Sequence, residues 1–204
     1  MITGIHFDLT AKTTSASNNA STFQHGEDYP AIIAGLWAGK TTWQDQTYDG
    51  FAPLFIVKDE NGKLVPRAGK FLKCYEGYHL FNGKTAFAQL MQGLLGTTSE
   101  DTELQRETVE AGYDDLSKLI GKPCSVRMAI KKTERGAYAI IDSVSRPTAK
   151  RPGLEDDELK EVQVDVSKVF GRFITIPDPR NAAYIKAVKL LVAVNSDAID
   201  ENLF

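Results

Sequence analysis

Aromatic rings interleaved with cations are the side chains here whose types and spacing could do chemistry. That chemistry is recognition of a single-stranded polyanion. Trp37, Trp43, Tyr48 and Phe51 cluster along one stretch, Tyr75 and Tyr78 along a second, and Tyr138 opens a third. Lys40, Lys70, Lys73, Arg127, Lys131, Lys132 and Arg135 stand among them. Flat rings stack bases of any identity while cations follow phosphates, and each stacked base contributes about 1–3 kcal/mol. Trp43 is the strongest individual candidate, because Thr41, Thr42, Gln44, Asp45 and Gln46 around it are all polar. Tyr48, Phe51, Phe55 and Phe71 alternate through strand-like runs, so roughly half of the aromatics belong to a core.

Catalytic patterns are missing. GLWAGKT at 35–41 has three residues between its glycines and GYHLFNGKT at 77–85 has five, whereas a phosphate loop needs four. His6, His25 and His79 are far apart and the two cysteines stand alone, so no metal-ligand spacing arises. Glu155, Asp156, Asp157 and Glu158 could hold a nuclease metal, but a block of like charge reads first as solvated surface. The sequence calls for no cofactor and no metal, and points away from an enzyme.

The net charge of −3 argues against a simple basic nucleic-acid binder, but its distribution matters more. Residues 29–151 carry 17 Lys/Arg against 14 Asp/Glu, a net +3, and the terminal segments carry the remaining −6. No apolar run approaches the ~20 residues that span a bilayer, and the first residues lack the basic and apolar blocks of a signal peptide. Cys74 and Cys124 lie in apolar strand patterns and read as buried thiols of a reducing compartment. A disulfide requires that their strands be neighbours.

The positioning elements follow from periodicity. Residues 1–28 are rich in Ser, Thr, Asn and Ala and read as a flexible segment, in which Ile5 and Phe7 could form a short added strand. Strands are expected at 29–37, with a bulge or bend at Gly35, at 48–58, and at 64–80 with an interruption near 66–69. Residues 39–46 read as a polar loop carrying Trp43, and Asn61-Gly62 as a hairpin turn. Phe87, Leu90, Met91, Leu94 and Leu95 recur at helical spacing, and Gly96 ends that helix. Residues 97–113 read as an acidic surface insertion, followed by a short helix over 114–120 capped by Asp114. A final hairpin pairs 124–130 with 138–144 across a basic turn, 131–136.

The order β-β-β-α-β-β is that of an OB-fold. The expected fold is therefore all-β with helical insertions: a five-stranded Greek-key barrel over 29–147, with its helical insertion at 84–120 and a C-terminal extension. A split barrel of other topology and an α+β sandwich are the competitors. On an OB barrel the faces of strands 2–3 and the loops 1–2 and 4–5 form the ligand groove, which would set Lys131, Lys132 and Arg135 across from Trp43. Residues 148–196 read as a linker, an arm with one or two weak strands, and a C-terminal helix whose apolar stripe docks on the barrel or meets another subunit. Residues 197–204 form an acidic tail. Asp197, Asp200 and Glu201 precede Leu203 and Phe204, a pattern suited to a basic pocket with an apolar anchor.

The segment LIGKPCSVRMAIKKTERGAYAIIDSVSRP at 119–147, with the order of elements before it, resembles bacteriophage single-stranded-DNA-binding proteins built on an OB-fold. The tail DAIDENLF is similar in kind to the acidic, phenylalanine-ended tails of such proteins, with Asn202-Leu203 where the bacterial tip has Ile-Pro. The resemblance implies single-stranded-DNA binding in phage replication or recombination, in the cytoplasm of an infected bacterial host. It also implies a tail that recruits replication or recombination proteins. A homo-oligomer is compatible with it and a membrane role is not. The alternative is an OB-like protein-interaction or phage assembly module.

Overall fold

The computed structural model describes residues 5–8, 22–73, 81–113, 115–134, 136–159, 162–165, 169 and 174–175. The chain is mostly β. In order it runs β1 (Ile5–Asp8), β2 (Asp28–Trp43), β3 (Gln46–Lys58), β4 (Leu64–Ala68), β5 (Leu72–Lys73), α1 (Ala86–Leu95), α2 (Asp101–Glu110), β6 (Pro123–Thr133), β7 (Gly136–Ser145), β8 (Val162–Asp165) and β9 (Ile174–Thr175). Five antiparallel strands in the order β4-β3-β2-β6-β7 curl into a half-barrel; β5 adds to β3 and β9 to β2. The outermost strands, β4 and β7, come into contact without sharing a ladder.

Alternation sorts the side chains into two layers. Tyr29, Ala31, Ile33 and Leu36 of β2 and Phe51, Phe55 and Val57 of β3 face the inner core, with Cys124, Val126 and Met128 of β6 and Ile141 of β7. A shift of register between Ile33 and Gly35 is the bulge expected at that glycine. α1 closes one end. Thr85 caps it by accepting the Ala88 N–H at 3.1 Å, and Gly96 ends it in a left-handed conformation, φ 69°. Phe87, Leu90, Met91 and Leu94 enter the same core. Leu104 and Thr108 of α2 are buried, so this insertion is part of the core rather than a surface decoration.

The strand-like runs of β2 and β3 are apolar on both faces. Their outer residues, Ile32, Trp37, Ala52, Leu54 and Ile56, pack against Leu154, Leu159, Val162 and Val164 in a second core. Near-continuous apolar runs are the mark of strands covered on both sides. The expected linker and acidic run after Pro147 are thus a packed strap. Leu154 N–H donates to the Ala31 carbonyl at 3.0 Å, and β8 pairs in parallel with β1, which is the short strand anticipated around Ile5 and Phe7. The boundary expected at residue 29 also moves: Phe23 is buried, its ring edge-on to Tyr29 at 5.0 Å.

Two connections differ from expectation. Residues 39–46 are a two-stranded ribbon, with Trp43 paired to Gln46 across a two-residue turn. Gln44 and Asp45 both take positive φ, 49° and 60°, as a tight hairpin of this length demands. In the last hairpin Thr133 pairs with Gly136, so Lys131 and Lys132 stand on the strand and not in the turn. The Asn61-Gly62 turn forms as expected, with Gly62 at φ 77° and Asp59 Oδ1 accepting the N–H groups of Asn61 and Lys63. The short helix is a 3-10 turn, Leu116–Leu119, capped by Asp115. The third strand breaks at the Gly69 end of the expected interruption and resumes at Leu72, while Pro66 pairs with Ile56 inside β4. Residues 74–80, Asp114 and the anticipated C-terminal helix lie outside the described residues.

Candidate nucleic-acid interface

The β6–β7 hairpin carries its polar groups on the face turned away from the inner core. Lys131 lies directly opposite Tyr138, Ala129 opposite Ile140, Arg127 opposite Ser143 and Ser125 opposite Ser145. A register shift beside Arg127 bulges Asp142 out of the ladder and keeps Ile141 on the core side. Lys131 and Lys132 are exposed, and Lys132 takes the other face, opposite Ala137. Among the described residues, only Tyr138, 45% exposed, and Ile120 are large hydrophobic side chains left open to solvent. Directly opposed residues of an antiparallel pair are close enough to act together. The hairpin therefore presents one ring and one cation side by side.

Arg127 is differently placed. Its Nε and Nη2 donate to the two carboxylate oxygens of Asp28 at 3.1 and 2.9 Å. That bidentate pair raises the guanidinium pKa further, first through the hydrogen bonds and then through the charge of Asp28. Arg127, expected to follow phosphates, thus stands paired to a carboxylate here.

Trp37 is 4% exposed and packs inside the second core, with no open ring face in this structure. Tyr48 is half-buried and its hydroxyl donates to Gln46 Oε1 at 2.6 Å. Lys70 is exposed, donates to Gln89 Oε1 at 3.3 Å, and lines a cleft of about 50 Å³ between β3, α1 and β7. Lys40 and Trp43 belong to β2 and Lys73 to β5, but their side chains lie outside the described residues. So do Tyr75, Arg135 and the tail residues Asp197, Asp200, Glu201, Leu203 and Phe204.

Register places the two turns along their strands. β2 meets β6 at Asp28 and Arg127; from there β6 runs on to Thr133 while β2 runs the other way to Trp43. Trp43 and Lys131 therefore share no ladder, and the Trp43 side chain lies outside the described residues. The outer face of β2 and β3 between them is covered by the strap. Glu158 of the acidic run is engaged: it accepts from Glu155 N–H and from Lys58 Nζ, each at 3.0 Å. Among the described residues no group of three acidic, His or Cys side chains is arranged to hold a metal ion, and no helix is long and apolar enough to cross a membrane.

Sequence reasoning missed Asp28 and Arg151. Arg151 Nε lies 3.8 Å from the Asp28 carboxylate already held by Arg127. The turn that carries it is closed by Thr148 and Arg151, whose N–H groups each reach the other's carbonyl, at 2.8 and 3.0 Å. A Thr-Ala-Lys-Arg stretch before Pro152 gives a turn signal, but nothing in it reveals the long-range partner. Compared with known proteins, the chain matches no family model, no curated protein and no solved structure.

Proposed function

We propose that the chain is a non-enzymatic single-stranded-DNA-binding protein on an OB-like barrel, with the strand running along the outer face of the β6–β7 hairpin. The observation that carries this reading is the exposed cross-strand pair of Lys131 and Tyr138. It joins a base-stacking ring to a phosphate-following cation, the combination that sequence-indifferent binding needs. The three-strand meander, the helix, and the hairpin paired back to the first strand support the OB-like assignment. The resemblance of 119–147 and of the tail to phage single-stranded-DNA-binding proteins extends the proposal. It supplies a role in phage replication or recombination inside the host cytoplasm, with Asp197 to Phe204 engaging partner enzymes.

A second reading has its own observation. The face that an OB-fold offers to oligonucleotides lies on its second and third strands, β3 and β4 here, and Leu54, Ile56, Leu64 and Ala68 of that face pack into the second core with Leu154, Leu159, Val162 and Val164. A protein-interaction or assembly module would tolerate that cover. Titration of a fluorescent oligo(dT), beside an RNA homopolymer of equal length, separates the two. Salt-dependent anisotropy change at micromolar protein supports the first reading; no binding by either polymer sinks it.

A further inference from the structure

One carboxylate, Asp28, lies between the guanidiniums of Arg127 and Arg151, with Glu27 and Asp142 near enough to act on Arg127, and this cluster lies on the same face as the proposed DNA path. Asp28 pairs with Arg127 in register, so the two share the outer face on which Lys131 stands two strand periods away, about 13 Å at about 3.3 Å per residue. Arg151 reaches the same carboxylate from the turn beyond β7, a turn that also carries exposed Lys150. The guanidiniums remain accessible: the Arg127 side chain is 46% exposed and that of Arg151 is 47%, against 20% for Asp28. Ser143, opposite Arg127, is exposed and adds a hydroxyl donor to the row.

We infer that Arg127 and Arg151 form a second phosphodiester-binding subsite, continuing the path from Lys131 and Tyr138, and that Asp28 occupies it when no strand is bound. The inference rests on the single-strand reading. A backbone phosphate presents the planar fork of Arg127 with the same bidentate acceptor geometry as the Asp28 carboxylate. Phosphate therefore competes with Asp28 for Arg127 and draws in Arg151, which Asp28 holds only at the limit of ion-pair distance. The carboxylate lowers affinity and keeps the two arginines positioned.

The test is anisotropy of a labelled oligo(dT) across a salt series with four proteins: the wild-type chain, Asp28→Asn, Arg151→Gln and Lys131→Ala. Each single-strand phosphate contact contributes about 0.7 to the slope of log affinity against log salt, about fivefold near 0.1 M. Asp28→Asn is expected to tighten binding about fivefold, and Arg151→Gln to weaken it about fivefold and flatten the slope by about 0.7. Opposite signs cannot come from a shared loss of folding. If Lys131→Ala weakens binding while both other variants match wild type, the subsite is overturned and the single-strand reading stands. If the wild-type chain does not bind, both fall.

Discussion

Lys58 Nζ donates to Glu158 Oε1 at 3.0 Å, tying the end of β3 to the acidic turn of the strap. The Glu158 carboxyl is held below its usual range, first by the Glu155 N–H it accepts and then by Lys58. A carboxyl lowered in the folded state stabilises above its unfolded value, and that contribution is lost as pH falls through the folded value. Both side chains are more than a third exposed, so solvent screens the pair. Glu158→Gln should cost no more than about 1 kcal/mol at neutral pH. The difference from wild type should vanish in acid below the carboxylate range, as read by urea unfolding at several pH values.

The strap's apolar anchors matter far more than its ion pair. Leu154 and Leu159 are buried against Ile32, Leu54 and Ile56. Leu159→Ala removes a buried side chain and should cost about 2–5 kcal/mol, the range for buried leucines. Urea denaturation measures it. A loss below about 1 kcal/mol would mean that the strap is not seated on β2 and β3 as described.

What the sequence disclosed depended on range. α1 was legible because the 87–95 stripe and Gly96 are local signals, and the Gly35 bulge and the Asn61-Gly62 turn were legible for the same reason. The ribbon at 38–51 was not, because its turn uses Gln44 and Asp45 where glycine or asparagine would announce positive φ. The strap was hidden because an acidic block reads as solvated charge, although YPAIIAGLW and FAPLFIV, apolar at nearly every position, already required cover on two faces. The hairpin was visible as a pattern. Its neighbours were not, since register with β2 decides that Arg127 meets Asp28.

Cys124 is expected to be inert in the folded protein. It is fully buried in the inner core, and burial pushes its thiol well above the ordinary range, so the reactive thiolate is suppressed. In a Cys74→Ser background, a thiol reagent at mildly alkaline pH should label the native chain only as fast as it unfolds. Rapid stoichiometric labelling without denaturant would contradict the packing of β6.

α1 reaches the hairpin through one close approach. A Cβ at Gly93 would collide with the Val144 carbonyl, and Gly93 O accepts the Arg146 N–H at 2.8 Å. Backbone atoms on β7 cannot step aside cheaply, so Gly93→Ala should destabilise by about 1–3 kcal/mol, the range for overpacking, despite the better helix propensity of alanine. Thermal unfolding followed by circular dichroism checks it, and an unchanged or raised midpoint would show that the helix sits farther from β7.

Tyr138 separates stacking from every other explanation of binding. Its ring is exposed beside Lys131, whereas Trp37 is sealed in the second core. Tyr138→Phe retains the ring and should bind oligo(dT) like wild type, and Tyr138→Ala should lose about 1–3 kcal/mol with little change in salt slope. Lys131→Ala should also weaken binding, by about fivefold near 0.1 M, and unlike Tyr138→Ala it should flatten the slope by about 0.7. Trp37→Phe should lower stability and leave affinity untouched, because a packed indole offers no face to a base. If Trp37→Phe weakens binding while Tyr138→Ala does not, the strand follows the covered face of β2 and β3. The strap would then have to lift before DNA could enter.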